Sequence, residues 1–333
     1  MTVPEARSGT VLVTGGGGFI GSRLVRRLLE GGYAVRCLVR SEPEKSPLHH
    51  HSVELVKGDI TRPDSLTAAV SGVDCVIHAA GMSWGSRAAD FFRHNADGTQ
   101  NLLRACVAAG GIRRFVYVSS QAAAGPAGPT RPAREDDPPR PLSVYGLSKL
   151  AAERHVAAFC AQLSTLIVRP SAVYGPGDRA FLQFFRLARR GFLVDFGTGE
   201  RHLSLCYVDD LVGGLIASLD SQGPSGSVYF MADPEPYPWR AVEETVGGLL
   251  GVRARRITVP TSLFKAVGMI GQVYGVATGR PVLLNRLRAA DLLEHDWCCD
   301  VSSAQRKLGY APEINLLEGL RNAVRWYQEN NLL

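Results

Sequence analysis

The chain has 333 residues, enough for about two domains with a substantial core, and its 45% hydrophobic and 20% charged content is that of an ordinary globular protein. With 37 basic against 31 acidic residues the net charge is only +6. No zinc-finger spacing, RNA-binding aromatic motif or basic arm accompanies it, so nucleic acid is not an expected partner. Seven cysteines, at 37, 75, 106, 160, 206, 298 and 299, form an odd set without C-x-x-C spacing, which predicts reduced thiols in a cytoplasmic protein and no disulfide framework.

The first residues, Met1 to Gly9, are polar and lack the apolar run of a signal peptide. Short β-branched runs then alternate with helical patterns: strands over residues 10–14, 34–39, 53–57, 73–78, 114–119 and 165–169, with helices over 18–31 and 88–109 and another carrying Tyr145 and Lys149. That alternation predicts an α/β fold, a Rossmann-type doubly wound parallel sheet. His49-His50-His51 lies between Pro47 and the third strand without partnering Cys or Asp, so no metal site is expected. Residues 121–141 hold six prolines and the acidic run Glu135-Asp136-Asp137, and read as an irregular loop at the carboxyl end of a strand, where such folds place substrate. After Pro170 the pattern is mixed, with turn clusters at Gly175-Pro176-Gly177-Asp178, Gly197-Thr198-Gly199 and 233–238. Residues 1–169 are therefore expected to bind the dinucleotide. Residues 170–333 are expected to form a smaller, irregular substrate-binding part, with some segments returning to the first. Residues 259–279 are greasy but interrupted by Pro260, Lys265, Gln272 and glycines. They fall short of a membrane span; a helix covering a substrate pocket is expected there, with peripheral membrane contact as the alternative.

The run Val11 to Gly21 places a strand, a glycine turn and a helix start in order. Gly15 permits the tight turn, Gly18 lets backbone approach a pyrophosphate, and Gly21 allows close helix–strand packing, while the helix N-terminus offers N–H groups to the anion. Tyr145 and Lys149 are four residues apart on a helix and share a face. A phenol titrates near ~10 in water, and an adjacent cation favours the phenolate, so the pair suits proton exchange with a carbonyl or alcohol oxygen.

The G-x-x-G-x-x-G spacing joined to Tyr145-x-x-x-Lys149 resembles the short-chain dehydrogenase/reductase superfamily, in its extended branch. Matching pieces span nearly the whole chain: Gly58-Asp59-Ile60, His78-Ala-Ala-Gly81, Asn95-Ala-Asp-Gly-Thr99, Val118-Ser-Ser120, Arg169-Pro-Ser-Ala-Val-Tyr-Gly-Pro176, and near the end Asp300, Leu308-Gly309-Tyr310 and Trp326-Tyr327. The resemblance implies a catalytic triad of Ser120, Tyr145 and Lys149, with Ser119 as the fallback serine and a cofactor contact. It implies further cofactor contacts at Gly15, Gly17, Gly18, Phe19, Ile20, Gly21, Asp59, Ile60, Ala79, Ala80, Gly81, Asn95, Pro170 and Ser171. Lys149 would also hold the nicotinamide ribose. Ser83, Gln121, Tyr174, Arg201 and His202 fall where extended relatives meet substrate. A homodimer through a helix bundle that includes the catalytic helix is also implied.

At the end of the second strand, Leu38-Val39-Arg40-Ser41 offers no acid for a ribose 2′-hydroxyl before Glu42. Arg40 presents a planar fork to a 2′-phosphate, so NADP is expected ahead of NAD, although Arg36 blurs the assignment. Sugar-nucleotide dehydratases of this branch carry acids after the fifth strand, where this chain has Ser120-Gln-Ala-Ala-Ala124; epimerases carry an Asn where Ala172 stands. The motifs resemble the 3β-hydroxysteroid dehydrogenase and dihydroflavonol reductase groups, which implies a carbonyl reductase of a largely hydrophobic small molecule. Apolar residues in the second half, such as Phe181, Phe184, Phe185, Phe192, Phe264, Met269 and Tyr274, are candidates for its pocket. A nucleotide-sugar 4-epimerase with tightly bound NAD and a non-catalytic cofactor sensor remain open as alternatives.

Overall fold

The computed structural model describes residues 9–49, 51–196, 199–278 and 286–333. Residues 1–8 of the polar N-terminus, His50 of the histidine run, Gly197-Thr198 of one turn cluster and Gly279 at the end of the greasy segment lie outside them.

The first half alternates strand and helix: β1 (Thr10–Thr14), α1 (Phe19–Glu30), β2 (Ala34–Val39), β3 (Glu54–Lys57), β4 (Cys75–His78), α2 (Gly98–Ala109), β5 (Arg114–Val118), α3 (Val144–Ala158) and β6 (Thr165–Pro170). A seventh strand, β7 (Ser227–Met231), comes from the second half and pairs with β6. The order is β7-β6-β5-β4-β1-β2-β3, and every neighbouring pair is parallel. The expected Rossmann-type α/β sheet is therefore present, and its direction of winding reverses between β1 and β4, where ligands of such sheets bind.

Strand periodicity of two sends alternate residues to opposite faces. Val11, Val13, Cys75, Ile77, Val116 and Val118 pack with Leu24, Val25 and Leu28 of α1 on one face. Leu12, Val76, Phe115 and Tyr117 pack with Leu102 and Leu103 of α2 and Ala152 and Val156 of α3 on the other. Both faces are covered, which explains why the strands read as continuous apolar runs.

Beyond β6 lie α4 (Arg179–Arg189), α5 (Val208–Ala217), α6 (Trp239–Leu250), α7 (Thr261–Thr278) and α8 (Leu316–Glu329), with three small sheets. Tyr174, Leu182, Phe185, Tyr207, Val242, Val246, Leu320 and Tyr327 form a separate core for this part.

Two elements differ from the sequence expectation. Residues 121–141 are not wholly irregular, because Ser120 caps a short helix, Gln121–Ala124, before the proline-rich stretch begins. The helix expected over 88–109 is interrupted at Phe92–Asp97 by a wide turn with i→i+5 bonding, after which α2 resumes as regular helix. Such turns are rare and concentrate at functional sites.

Candidate active site

β1 ends at Thr14 and the chain turns through four glycines into α1. Gly15 takes φ +77°, and a Cβ there would stand 2.7 Å from the Ala80 amide nitrogen; one on Gly21 would stand 2.0 Å from the Gly15 carbonyl oxygen. The turn is thus wedged between the end of β4 and the first turn of α1, with no room for any other residue at either position. No side chain caps α1, and its first helical bond runs from Ser22 N to Gly18 O at 2.9 Å. The amides of Phe19, Ile20 and Gly21 therefore stand at the open, electropositive end of the helix, a ready anion cradle. This cradle fits the pyrophosphate of a dinucleotide.

The facing wall is α3. Ser143 caps it by accepting from Gly146 N at 3.0 Å, which starts the helix just ahead of Tyr145. Gly146 has a steric duty as well: a Cβ there would lie 2.3 Å from the Ala122 carbonyl oxygen, so α3 rests directly on the short helix that Ser120 caps. Lys149 is buried and donates from Nζ to the Val118 carbonyl at 2.7 Å. The same nitrogen lies 4.7 Å from the centroid of the Tyr117 ring. Burial pulls the Lys149 ammonium down to about 7, against an opposing pull from the Glu153 carboxylate. The Tyr145 ring packs edge-on to Phe91, with centroids 6.5 Å apart.

Glycine turn and α3 enclose one cavity of about 1000 Å³. Of the residues expected at the site, Gly15, Gly17, Gly18, Phe19, Ile20, Gly21, Ala79, Gly81, Ser83, Ser119, Tyr145 and Lys149 line it. Ser120 is not part of the lining; its Oγ accepts from Ala122 N at 3.2 Å, a bond that leaves the hydroxyl proton free to be donated. Asn95, on the wide turn, stands behind the wall. It accepts from Met82 N at 2.6 Å and donates to Met82 O and Ser148 Oγ, both at 2.9 Å, tying the loop after β4 to α3.

Asp59 accepts from the Thr61 amide and hydroxyl at 2.8 and 2.9 Å. Burial alone would raise its carboxyl, but those bonds and the nearby Arg40 charge hold it below the ordinary carboxylate value. Arg40 is exposed at the end of β2. Arg36 is not available for a ligand, since its guanidinium binds Glu54 Oε2 at 2.7 Å and the Ala69 and Ser71 carbonyls at 3.2 and 2.5 Å. Ile60 is buried under α2 against Gly98. Ala80 N donates to Thr14 Oγ1 at 3.2 Å. Pro170 ends β6, and Ser171, whose amide donates to Met231 O at 3.1 Å, is buried beyond it.

The expected substrate residues do not converge. Gln121 is buried, and Tyr174 is fully enclosed in the second core, edge-on to Tyr207. Arg201 donates to the Leu292 and Glu294 carbonyls at 3.0 Å, and His202 pairs with Asp296 at 3.2 Å. Phe181, Phe184 and Phe185 pack on one another and on Trp239, not around the cavity.

Behind the wall runs a buried polar layer. Arg169 grips Glu153 through Nε–Oε1 at 2.9 Å and Nη2–Oε2 at 2.7 Å, and Ser119 donates to the same Oε1 at 2.5 Å. His78 links Thr14 at 2.6 Å to Thr99 at 2.9 Å; burial and then the Lys149 charge push its pKa down to about 3, so the imidazole is neutral. Sequence reasoning missed the other half of the lining: Ser22, Arg23, Met82, Trp84, Val118, residues 176–180 and Trp326. The Gly-Pro-Gly-Asp turn was the available signal. Asp178 of that turn caps α4 by accepting from Ala180 N and Phe181 N at 3.0 and 2.8 Å, which brings the exposed Arg179 to the cavity rim.

The sequence profile described as the NAD dependent epimerase/dehydratase family matches residues 11–232. The chain is 32% identical over 322 residues to a ceramide reductase of Caulobacter vibrioides, covering 96% of this chain and 95% of that protein. It is 31% identical over 338 residues to a 3 beta-hydroxysteroid dehydrogenase/Delta 5-->4-isomerase of Mycobacterium tuberculosis, covering 96% and 90%. Among solved structures, MoeE5 in complex with UDP-glucuronic acid and NAD superposes with a TM-score of 0.77 at 30% identity, over 97% of this chain and 100% of that one.

Proposed function

This chain belongs to the NAD dependent epimerase/dehydratase family, the extended short-chain dehydrogenases/reductases, and we propose that within it the protein is an NADP-preferring oxidoreductase of ketones or aldehydes, or of the corresponding secondary alcohols, in a largely hydrophobic small molecule. As a member it is an NAD(P)-dependent enzyme. The observation that carries the reading is the shared cavity: the open end of α1 on one side, and Tyr145 and Lys149 one helical turn apart on the other.

The amides of the glycine turn would hold the dinucleotide, which would supply or accept the hydride. In the reducing direction, Ser120 keeps its proton and donates a hydrogen bond to the substrate oxygen, and Tyr145 transfers the single proton to the alkoxide as charge develops there. Lys149 stabilises the phenolate left behind, until solvent reprotonates it. Because Nζ is fixed on the Val118 carbonyl, the charge is placed before substrate arrives. Asp59 and Ile60 would border the adenine, Arg40 a 2′-phosphate, and Asn95 holds Met82 and α3 in register.

Preference for NADP rests on Arg40 being exposed while Arg36 is fully engaged. The hydrophobic substrate class rests on the ceramide and 3β-hydroxysteroid relatives and on Ala172 replacing the asparagine of epimerases. The reading includes a cytoplasmic homodimer with residues 1–169 as the dinucleotide part and 170–333 mainly as the substrate part. Leu147 on α3 and Phe92 are exposed apolar side chains suited to a helix-bundle contact.

The likeness to MoeE5 favours one second reading, a nucleotide-sugar 4-epimerase with tightly held NAD. The deciding experiment follows oxidation of NADPH and NADH by the purified protein over a panel of lipophilic ketones, with UDP-glucose conversion assayed without added cofactor. The expected result is NADPH-dependent reduction that Tyr145→Phe lowers by roughly 100-fold or more while NADPH binding persists. Bound NAD with sugar-nucleotide conversion would replace this reading with the second.

A further inference from the structure

Half of the exposed large hydrophobic side chains among the described residues sit on one helix, α7: Leu263, Val267, Met269, Ile270, Val273, Tyr274 and Val276. Leu263, Val267, Ile270 and Tyr274 are spaced by four, three and four residues and share a face. Ile270 is 70% exposed and Val273 64%, whereas the opposite side turns Phe264, Gly268 and Gly275 inward. A solvent face made of aliphatic residues inverts the ordinary pattern for a surface helix, and a patch of this kind marks a binding surface.

Charge identifies what covers it. Between Glu244 and Asp291 the sequence contains no acidic residue and seven basic ones, of which Arg256 is paired with Glu243 just upstream. This stretch alone carries +7 against +6 for the whole chain, which leaves all other residues together at −1. Arg253 and Arg255, both exposed, lie on and just before the strand Arg255–Val259 that leads into α7. A second copy of the chain would bring the same positive region against itself, which is repulsive. An anionic lipid surface satisfies both the apolar face and the exposed cations Arg253 and Arg255 that precede it. No described helix is long and apolar enough to cross a membrane, so an 18-residue helix of this character would lie in the interface plane.

We propose that α7, with its basic flanks, docks the protein on an anionic membrane surface. The consequence for turnover rests on the function proposed above. Gln272 on α7 donates to the Ser86 carbonyl, and Ser83 and Trp84 of the same loop line the catalytic cavity, so docking sets the cavity mouth beside the bilayer where a lipophilic carbonyl compound is dissolved. Docking itself is measured without turnover and stands or falls independently.

The test is co-sedimentation of the full chain with phosphatidylcholine vesicles, with and without phosphatidylglycerol. The wild type is expected to pellet with the anionic vesicles and to be released by high salt. Ile270→Glu combined with Val273→Glu should cut the bound fraction roughly tenfold or more, with circular dichroism and NADPH binding unchanged; Leu317→Glu, an exposed apolar position on α8, should bind as the wild type does. The proposal is overturned if the wild type stays in solution with anionic vesicles or if the double variant pellets equally. It is also overturned if sedimentation shows a wild-type dimer that the double variant dissolves, which would assign the face to a second copy.

Discussion

Arg169 clasps the carboxylate of Glu153 with two hydrogen bonds, one to each oxygen, 2.9 and 2.7 Å long, one helical turn beyond Lys149. Both side chains are about 95% buried. Tyr145, Lys149 and Glu153 follow one another at intervals of four along one face of α3, so the pair anchors the end of a row whose other end is the proposed proton donor.

Removing one partner of such a pair strands a charge in the core. Arg169→Met should therefore destabilise the fold by about 3–5 kcal/mol, measured by urea unfolding, whereas the double variant Arg169→Met with Glu153→Leu should recover most of the loss. An Arg169→Met protein as stable as the wild type would show that Glu153 is satisfied by Ser119 alone.

Lys149 titrates near 7 in the folded protein, well below its ordinary 10.5, chiefly through burial. Between those values the unfolded chain binds a proton that the native state does not, so stability of the cofactor-free protein should rise with pH from about 7 toward about 10. Chemical denaturation at several pH values checks this, and Lys149→Met should flatten the rise.

A methyl group on Gly146 would collide with the Ala122 carbonyl at 2.3 Å, and backbone cannot swing aside as a side-chain tip can. Gly146→Ala should lift the first turn of α3 away from the helix Gln121–Ala124 and move Tyr145 relative to Ser120. Turnover should fall roughly 10- to 100-fold with the KM for cofactor little changed, because the glycine turn is untouched.

Arg40 is the exposed cation at the end of β2, beside Asp59. Arg40→Ser should lower the ratio of kcat/KM for NADPH to that for NADH by roughly 10- to 100-fold, the worth of a charge-assisted contact. An unchanged ratio would remove Arg40 from cofactor selection.

The strands β1 to β6 were legible because each is a short apolar run bounded by turn residues, and the glycine turn because strand, turn and helix come in a fixed order. Side-chain destinations were less so. Arg201 and His202 follow a plausible turn cluster, yet a local pattern does not say which carbonyls or carboxylates fold back upon it, and here they are Leu292, Glu294 and Asp296. Gly146 carries no local signal between Tyr145 and Lys149; its importance lies in Ala122, more than twenty positions upstream. Ser120 heads a helix that the prolines after Ala124 concealed.

The wide turn at Phe92–Asp97 has a consequence for how this region tolerates change. An extra residue in one turn acts as a phase shifter: it moves the helical wheel by about 100° between its two ends, and within that turn Asn95 reaches Met82 and Ser148. Deleting a single residue there would leave a continuous helix of ordinary appearance. It would also rotate everything on one side of the deletion out of step with the other, and secondary-structure content alone would not reveal the damage.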